Sequence, residues 1–303
     1  MERREFLKIA GLAGLALTGV GKLDLAAATA QQPSPVDLAV IQNGDPAAMV
    51  RKSLEVLGGI SRFVKKGQVV VVKPNIGWDR VPEQAATTNP DVVAEIVRLC
   101  LKAGAAKVKV FDKTCNQARR CYQRSQIEKA ASDAGAEVSH IYPQKFRKVT
   151  ISQGKELKSW EFYQDALEAD VFINVPIAKH HSLSRVTLGL KNIMGVIGEN
   201  RGHIHNRFDV KIVDLNTVIK PQLTILDAVR ILMDNGPQGG NLNDVKEMNM
   251  IIAGADPVAV DAYGATLFGL KPENLGFLQE AQRRNLGRMD IQKLKIEKVN
   301  LKA

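Results

Sequence analysis

Short continuous apolar runs alternate along this chain with longer segments in which apolar residues recur at helical spacing. The apolar runs predict buried strands at residues 36–41, 69–73, 108–112, 137–141, 171–175, 223–226 and 250–253. The segments with helical spacing predict helices at residues 46–57, 89–103, 125–134, 209–219 and 257–268. Buried valine and isoleucine strands that alternate with helices are typical of parallel sheets. The pattern therefore predicts an α/β fold: a mostly parallel sheet with helices on both faces, in a Rossmann-like three-layer arrangement.

No internal repeat or long low-complexity linker interrupts this alternation. The prediction is therefore a single α/β domain over residues 31–303. Residues 149–163 are less regular and are interpreted as a hairpin insertion. Residues 177–208 are rich in histidine and glycine, and we interpret them as a long functional excursion from the sheet.

The first 30 residues show the order of regions that a secretory signal has. Arg3 and Arg4 precede an uncharged apolar stretch at residues 9–20, and Ala28-Thr29-Ala30 follows as a small-residue cleavage pattern. The apolar stretch is shorter than the roughly 20 residues that a membrane span requires. The alternative to a secretory signal is a basic amphipathic helix or an uncleaved anchor. Because the Arg-Arg-x-Phe-Leu-Lys run resembles the twin-arginine motif, residues 1–30 are predicted to be a twin-arginine (Tat) signal peptide.

This prediction has consequences for location. The twin-arginine translocase would export the protein, already folded, to the periplasm or another extracytoplasmic space. No stable transmembrane segment would remain after cleavage, since the apolar stretch belongs to the removed signal.

Charge and composition narrow the class of partner. The formal net charge is +10 over 303 residues, which favours anionic partners. Aromatic residues make up only 5% of the chain, and no stretch pairs basic residues with stacking rings. The sequence therefore predicts an anionic small molecule as partner and no nucleic acid.

The chain has three cysteines, Cys100, Cys115 and Cys121. An iron–sulfur cluster of the four-iron type normally takes four thiolates, so such a cluster is not expected within this chain alone. Cys100 falls in a helical apolar pattern and is predicted to lie in the core. Cys115 and Cys121 flank a loop, and the sequence is compatible with either a disulfide between them or two free thiols.

Polar side chains follow most of the predicted strands. These strand-end groups are Lys73-Pro74-Asn75, Asp112-Lys113-Thr114, Lys179-His180-His181, Asp227 and Asp256. Because ligands bind beyond the carboxyl ends of the strands in an open parallel sheet, we expect these groups to meet at one edge. Lysine and histidine are not standard turn formers, so the set predicts a functional site.

Two interpretations of this site compete. In the first, lysines and arginines hold a phosphate or carboxylate. The residues assigned to the anion are Lys73, Asn75, Lys179, Lys191, Asn192 and Arg201. In the second, His203, His205 and Asp261 bind a divalent metal, although the surrounding positive charge disfavours a cation. Beyond this metal, the sequence leaves the cofactor unidentified.

Proton transfer would fall to His180 or His205, since imidazole titrates near neutral pH, and Asp256 is a further catalytic candidate. The chain has no Gly-x-Ser-x-Gly elbow, phosphate-binding P-loop or Gly-x-Gly-x-x-Gly fingerprint. Hydrolase, NTPase and dinucleotide-binding functions are therefore disfavoured.

Several short motifs occur together in this chain. They are Lys73-Pro74-Asn75, Lys179-His180, Lys191-Asn192-Ile193-Met194-Gly195, Arg201 with His205, Asp227-Ala228, Gly236-Pro237, and Asp256-Pro257 with Asp261. In this combination the chain resembles the family called domain of unknown function 362 (DUF362), over about residues 36–270. Members of that family are sometimes fused to ferredoxin-like iron–sulfur modules, and others carry a twin-arginine signal. The polar residues that match the family pattern are Lys73, Asn75, Lys179, His180, Lys191, Asn192, Arg201, His205, Asp256 and Asp261. The resemblance does not imply a particular reaction.

The leading hypothesis is an exported α/β protein with a basic, histidine-rich anion-binding pocket that is enzymatic, with metal assistance as one option. One alternative is a redox or iron–sulfur-associated cofactor-binding protein of an exported electron-transfer system, which would have a redox partner. The other alternative is a non-catalytic solute-binding or maturation protein.

Overall fold

Ten strands of the described region, residues 36–302 of a computed structural model, form one mixed sheet, and two further strands form a separate hairpin. In chain order the strands are β1 (Leu38–Gln42), β2 (Val69–Pro74), β3 (Lys107–Val110), β4 (Glu137–Val138), β5 (Phe146–Thr150), β6 (Ser159–Tyr163), β7 (Val171–Val175), β8 (Ile177–His181), β9 (Arg185–Thr187), β10 (Leu223–Leu232), β11 (Val245–Gly254) and β12 (Ile296–Asn300). The α-helices are α1 (Pro46–Val56), α2 (Pro90–Lys102), α3 (Ala118–Arg124), α4 (Ile127–Asp133), α5 (Gln164–Leu167), α6 (Gly189–Asn192), α7 (Phe208–Asn216), α8 (Pro257–Thr266) and α9 (Gly276–Arg283).

The sheet runs in the order β12-β1-β11-β10-β7-β2-β3-β4, and the hairpin of β8 and β9 joins it beside β10. Strands β10, β7, β2, β3 and β4 are parallel to one another, and β1 is parallel to β12. Strand β11 is antiparallel to both of its neighbours. The predicted mostly parallel α/β sheet is confirmed, with a local reversal at β11 that the apolar pattern did not indicate.

The core lies in two layers, one on each face of the sheet. Side chains alternate between the faces along a strand, so successive valines of β2 enter different layers. Val70 and Val72 pack in an apolar cluster with α1, α2 and α4, whereas Val71 packs in a second cluster with α7, α8 and α9. Helices therefore cover both faces, as the sequence predicts.

Local signals fix the ends of the helices. The Asn89 side chain accepts a hydrogen bond from the backbone N–H of Asp91 at 2.9 Å, and Pro90 occupies the first turn of α2. The same helix ends just before Gly104, whose φ of +91° is typical of the residue after a helix. The helix predicted at residues 125–134 corresponds to α4, whereas α3 was not predicted.

Strands β10 and β11 extend beyond their predicted bounds, to ten residues each. Their outer halves include charged residues such as Arg230 and Glu247, which interrupt the apolar pattern. The two strands continue as an antiparallel ribbon past the end of β7, and β8 pairs with β10 along this extension. The extension therefore places β8 beyond the carboxyl end of β7. The hairpin predicted at residues 149–163 is formed by β5 and β6.

The predicted signal peptide, residues 1–30, lies outside the described residues. Those that are described belong to one compact unit, and no helix between residues 36 and 302 is long and apolar enough to cross a bilayer. The three cysteines are free thiols: Cys100 is buried in the core, as predicted, Cys121 is also buried, and Cys115 is exposed.

Candidate functional site

A cavity of about 550 Å³ opens at the carboxyl ends of β2 and β3. Its walls come from the end of β2, the loop after β3, the β8–β9 hairpin and the segment at residues 187–205. Seven of the predicted site residues line it: Lys73, Asn75, Lys179, Lys191, Asn192, Arg201 and His205. The structure therefore brings together, from distant parts of the sequence, all six residues that were predicted to hold an anion.

Lys73 and Asp112 form a buried ion pair at the base of the cavity. The Lys73 Nζ lies 2.8 Å from Asp112 Oδ1, and both side chains are at most 3% exposed. The same Nζ donates hydrogen bonds to the Pro74 carbonyl at 2.7 Å and to Asn192 Oδ1 at 3.0 Å. Burial lowers the pKa of Lys73, and Asp112 opposes that shift. With three acceptors, one of them a carboxylate, the group is held as an ammonium ion.

A chain of asparagine side chains crosses the base of the cavity. Asn174 Nδ2 donates to the Gly189 carbonyl at 2.8 Å, and Asn192 Nδ2 donates to Asn174 Oδ1 at 2.8 Å. Asn75 Nδ2 then donates to Asn192 Oδ1 at 3.0 Å. Because a carbonyl can only accept, the Gly189 end fixes the direction of every amide in the chain. Asn75 Oδ1 is thereby left as an acceptor, and it accepts a hydrogen bond from the Gly77 N–H at 3.3 Å.

The acceptor role of Asn75 is used by Lys179. The Lys179 Nζ donates to Asn75 Oδ1 at 3.2 Å and to the Ala86 carbonyl at 2.6 Å. No carboxylate of residues 36–302 forms an ion pair with it, and burial lowers its pKa to about 7. Lys179 is therefore a buried amine whose charge is not balanced by an acidic neighbour.

Lys191 has a different set of neighbours. Its Nζ lies 2.8 Å from His205 Nε2, 3.7 Å from the Met194 sulfur and 4.8 Å from the centre of the Phe208 ring. Burial and the charge of Lys179 lower the pKa of Lys191 to about 7. Burial and the charge of Lys191 in turn lower the pKa of His205. This pair of basic groups shares one hydrogen bond and can move a proton between its members.

His181 also lines the cavity, although it was not selected from the sequence as a site residue. Its ring stacks on that of His205, with the ring centres 5.3 Å apart. Burial and the charge of Lys191 lower its pKa to about 2, so the ring is neutral. The Leu183 N–H donates to its Nδ1 at 3.1 Å, which places the ring proton on Nε2 and makes that atom a donor.

His180, a predicted catalytic residue, does not line the cavity. It follows Lys179 on strand β8, and adjacent side chains of a strand point to opposite faces. Its Nδ1 accepts a hydrogen bond from the Gly236 N–H at 3.0 Å. The structure therefore places His181, and not His180, at the cavity, since residues 177–181 form a strand within the segment that the sequence analysis interprets as a long functional excursion.

Asp256, another of the predicted catalytic residues, lies at the opposite edge of the sheet. Because β11 is antiparallel, its last residue, Gly254, pairs with Thr224 near the start of β10 and with Leu38 at the start of β1. The Asp256 carboxylate accepts hydrogen bonds from two N–H groups of the first turn of α8 and from the N–H of Arg288. The expectation that Asp256 joins the cavity is therefore wrong, and the residue caps a helix.

The three predicted metal ligands are not brought together. His203 is exposed, with its ring near the Asn200 side chain. Asp261 is buried, and its two oxygens accept from the Gly189 and Leu190 N–H groups at 2.6 and 2.8 Å. Only His205 lines the cavity. No group of three or more histidine, cysteine or acidic side chains in the described region could hold a metal ion.

Asp261 nevertheless matters to the cavity. Its carboxylate accepts hydrogen bonds from the first two N–H groups of α6, the short helix that carries Lys191 and Asn192. Burial raises the pKa of this carboxyl to about 7, and the two backbone donors act in the opposite direction. Asp261 therefore positions two cavity residues from outside the cavity.

Arg201 ties the wall of the cavity together. Its guanidinium donates to the carbonyls of Lys113 at 2.7 Å and Thr114 at 2.8 Å, and one amino group lies 3.6 Å from the Cys115 sulfur. These contacts join the loop after β3 to the segment at residues 201–205. Arg201 is therefore partly committed to backbone acceptors, and it adds positive charge to the rim.

The charged side chains that line the cavity are predominantly basic. The charged groups that line it are Lys73, Lys113, Lys179, Lys191 and Arg201 on the basic side and Asp112 and Glu199 on the acidic side. Lys73 and Asp112 balance each other, so the uncompensated charge is positive. Such a field attracts anions and repels cations.

The chain is similar to a curated protein, to a solved structure and to one protein-family model. The thylakoid-associated protein sll1697 of Synechocystis sp. is 27% identical over 251 residues, which cover 80% of this chain and 76% of the relative. Among solved structures, the lactate racemase apoprotein from Thermoanaerobacterium thermosaccharolyticum matches at 12% identity with a TM-score of 0.46. That match covers 76% of this chain and only 56% of the solved structure, and at this TM-score it carries no argument about function. A family model matches residues 70–266, more than half of the sequence, and the chain therefore belongs to the family described as Domain of unknown function (DUF362).

Proposed function

We propose that this chain is an exported protein that binds a small anion, a carboxylate or a phosphate, in the cavity at the ends of β2 and β3. The observation that carries the proposal is the pair of buried amines, Lys179 and Lys191, for which the described residues supply no carboxylate partner. Holding such an amine as an ammonium ion without an anion beside it costs several kcal/mol. A bound anion would offset that cost, so the cavity favours an anion over water.

The cavity limits the size of this anion. Its volume of about 550 Å³ is in the range of small-molecule sites. Lys191 is the donor best placed to contact the anion, since its present neighbours are a histidine nitrogen, a thioether and an aromatic ring. None of these satisfies an ammonium group as a carboxylate or phosphate oxygen does.

Isothermal titration calorimetry with inorganic phosphate and with oxalate tests the proposal. Lys191→Met keeps the length of the side chain and removes its charge. A hydrogen bond to a charged group is worth about 1.5–3 kcal/mol, so affinity should fall by roughly ten- to a hundredfold. Lys65→Met, which removes an exposed lysine, is the matched control and should bind like the parent protein. Equal effects of the two substitutions, or no heat of binding in the parent protein, would remove the proposal.

Export is the second component. It is supported by the twin-arginine pattern at Arg3 and Arg4. The name of the Synechocystis relative, a thylakoid-associated protein, supports an extracytoplasmic or membrane-associated location. Cell fractionation of the full chain tests it: replacing both arginines by lysine should retain the protein in the cytoplasm. A doubly substituted protein that still reaches the periplasm would contradict twin-arginine export.

A further inference from the structure

The three buried lysines of the cavity differ in the acceptors that surround each nitrogen. Lys73 has three hydrogen-bond acceptors, one of which is a carboxylate. Lys179 has two acceptors, Asn75 Oδ1 and the Ala86 carbonyl, and neither is charged. An ammonium ion has three N–H donors, whereas a neutral amine has two donors and one lone pair. The surroundings of Lys179 therefore match a neutral amine with both hydrogens engaged.

The direction of the asparagine chain strengthens this assignment. The chain begins at the Gly189 carbonyl, which can only accept, and ends at Asn75 with its oxygen toward Lys179. The Ala86 carbonyl is likewise an acceptor only. Both contacts therefore require hydrogens on the Lys179 nitrogen. Fixing those hydrogens also fixes the fourth tetrahedral position, where the lone pair of the neutral amine lies.

We infer that Lys179 is the nucleophile of this cavity and forms a Schiff base with an anionic carbonyl compound of the 2-oxo acid class. The inference rests on the proposed anion-binding function. A 2-oxo acid carries its carbonyl next to a carboxylate, and the cavity places a second basic group, Lys191, in the same walls as Lys179. Lys191 holds the carboxylate while Lys179 attacks the carbonyl carbon.

The reaction balances without an oxidant or a reductant. The Lys179 nitrogen forms a bond to the carbonyl carbon, the C=O π pair moves to oxygen, and a proton passes from nitrogen to oxygen to give a carbinolamine. The C–O bond then breaks, the hydroxyl group takes up one proton and leaves as water, and the nitrogen lone pair forms the C=N bond of the iminium ion. We assign the supply of that proton to the Lys191–His205 pair, whose members lie 2.8 Å apart.

Two properties of the site agree with this chemistry. Burial lowers the pKa of Lys179 to about 7, so a substantial fraction of the amine is neutral near neutral pH. Lys179 is also among the largest fully buried side chains of the described region. Its burial disfavours the charged ammonium form, and the neutral amine is the form that attacks a carbonyl carbon.

Trapping with sodium borohydride tests the inference on the full chain. Borohydride reduces an iminium ion to a stable secondary amine, which peptide mass spectrometry locates. With pyruvate as probe, the adduct should lie on Lys179, and acetone, which has a carbonyl but no carboxylate, should give little adduct. Lys179→Arg keeps N–H donors at this position and cannot form a Schiff base, so its adduct should be lost. Lys65→Arg should label as the parent protein does.

The outcomes separate the inference from the proposed function. Absence of the adduct from Lys179, or labelling of Lys179 no greater than that of exposed Lys65, overturns the inference. Oxalate has no ketone or aldehyde carbonyl, so its binding by calorimetry reports on the anion site alone. If oxalate binds and no adduct forms, the proposed anion site is retained and the assignment of Lys179 as the nucleophile is rejected. If neither oxalate nor inorganic phosphate binds, the proposed function is rejected as well. Because the adduct is mapped in the unsubstituted chain, the result does not depend on whether a variant folds.

Discussion

Replacing Lys73 by methionine tests the buried ion pair that joins the end of β2 to the loop after β3. Methionine has about the same length as lysine, so the change removes the charge and leaves little empty volume. Among the described residues, Asp112 would keep only the Ile76 N–H, now at 2.6 Å, as a donor to its carboxylate. Removing one partner of a buried pair leaves an uncompensated charge, which costs about 3–5 kcal/mol. We expect the free energy of unfolding to fall by that amount.

Urea denaturation followed by circular dichroism measures this change. The matched control is Lys129→Met, which breaks the pair with Asp133, whose two side chains are 81% and 60% exposed. Exposed pairs typically contribute less than about 1 kcal/mol, so the control should change stability little. Adding Asp112→Asn to Lys73→Met should recover part of the loss, because it removes the unpaired charge. A loss in Lys73→Met no larger than in Lys129→Met would refute the reasoning.

Three further predictions concern the same region. A methyl group on Gly195 would overlap both members of the buried ion pair, so Gly195→Ala should lower the free energy of unfolding in urea by about 1–3 kcal/mol and weaken oxalate binding. Asp261→Asn turns an amide donor toward a backbone N–H, which should cost about 1–3 kcal/mol in the same assay, whereas the exposed Asp133→Asn should cost little. Between pH 7 and 10.5 the folded protein has lost the Lys179 proton that the unfolded chain still binds, so stability should rise with pH across that range. Lys179→Met should reduce that slope by up to about 1.4 kcal/mol per pH unit, and an unchanged slope would contradict the lowered pKa.

The sequence was a good guide wherever apolar runs and chain direction agree. Lys73, Asn75 and Asp112 lie at or just beyond the carboxyl ends of parallel strands, so the rule that such ends meet at one edge placed them correctly. The same rule failed for Asp256, because an apolar run is the same whether its strand is parallel or antiparallel. The direction of β11 depends on its pairing with β10 and β1, which are distant in sequence.

Two other site features could not be obtained from composition and spacing. Choosing His181 over His180 requires knowing that residues 177–181 form a strand, which pairs with β9 and with the extension of the distant β10. Asp261 is assigned to a metal from the sequence because an acidic ligand would offset the positive charge around the histidines. Its true partners are backbone N–H groups, which every sequence contains and which carry no signal.

The position of β1 in the sheet has a consequence for the order of folding. Its two neighbours are β11 on one side and β12 on the other, and Leu38 pairs with residues as distant as Ile296. Contacts of such long sequence separation require closure of very large loops and slow the folding of a chain. A nascent chain that has emerged only as far as β10 leaves β1 with both edges unpaired. The first strand of the described region therefore pairs with its neighbours late, after most of the protein has left the ribosome.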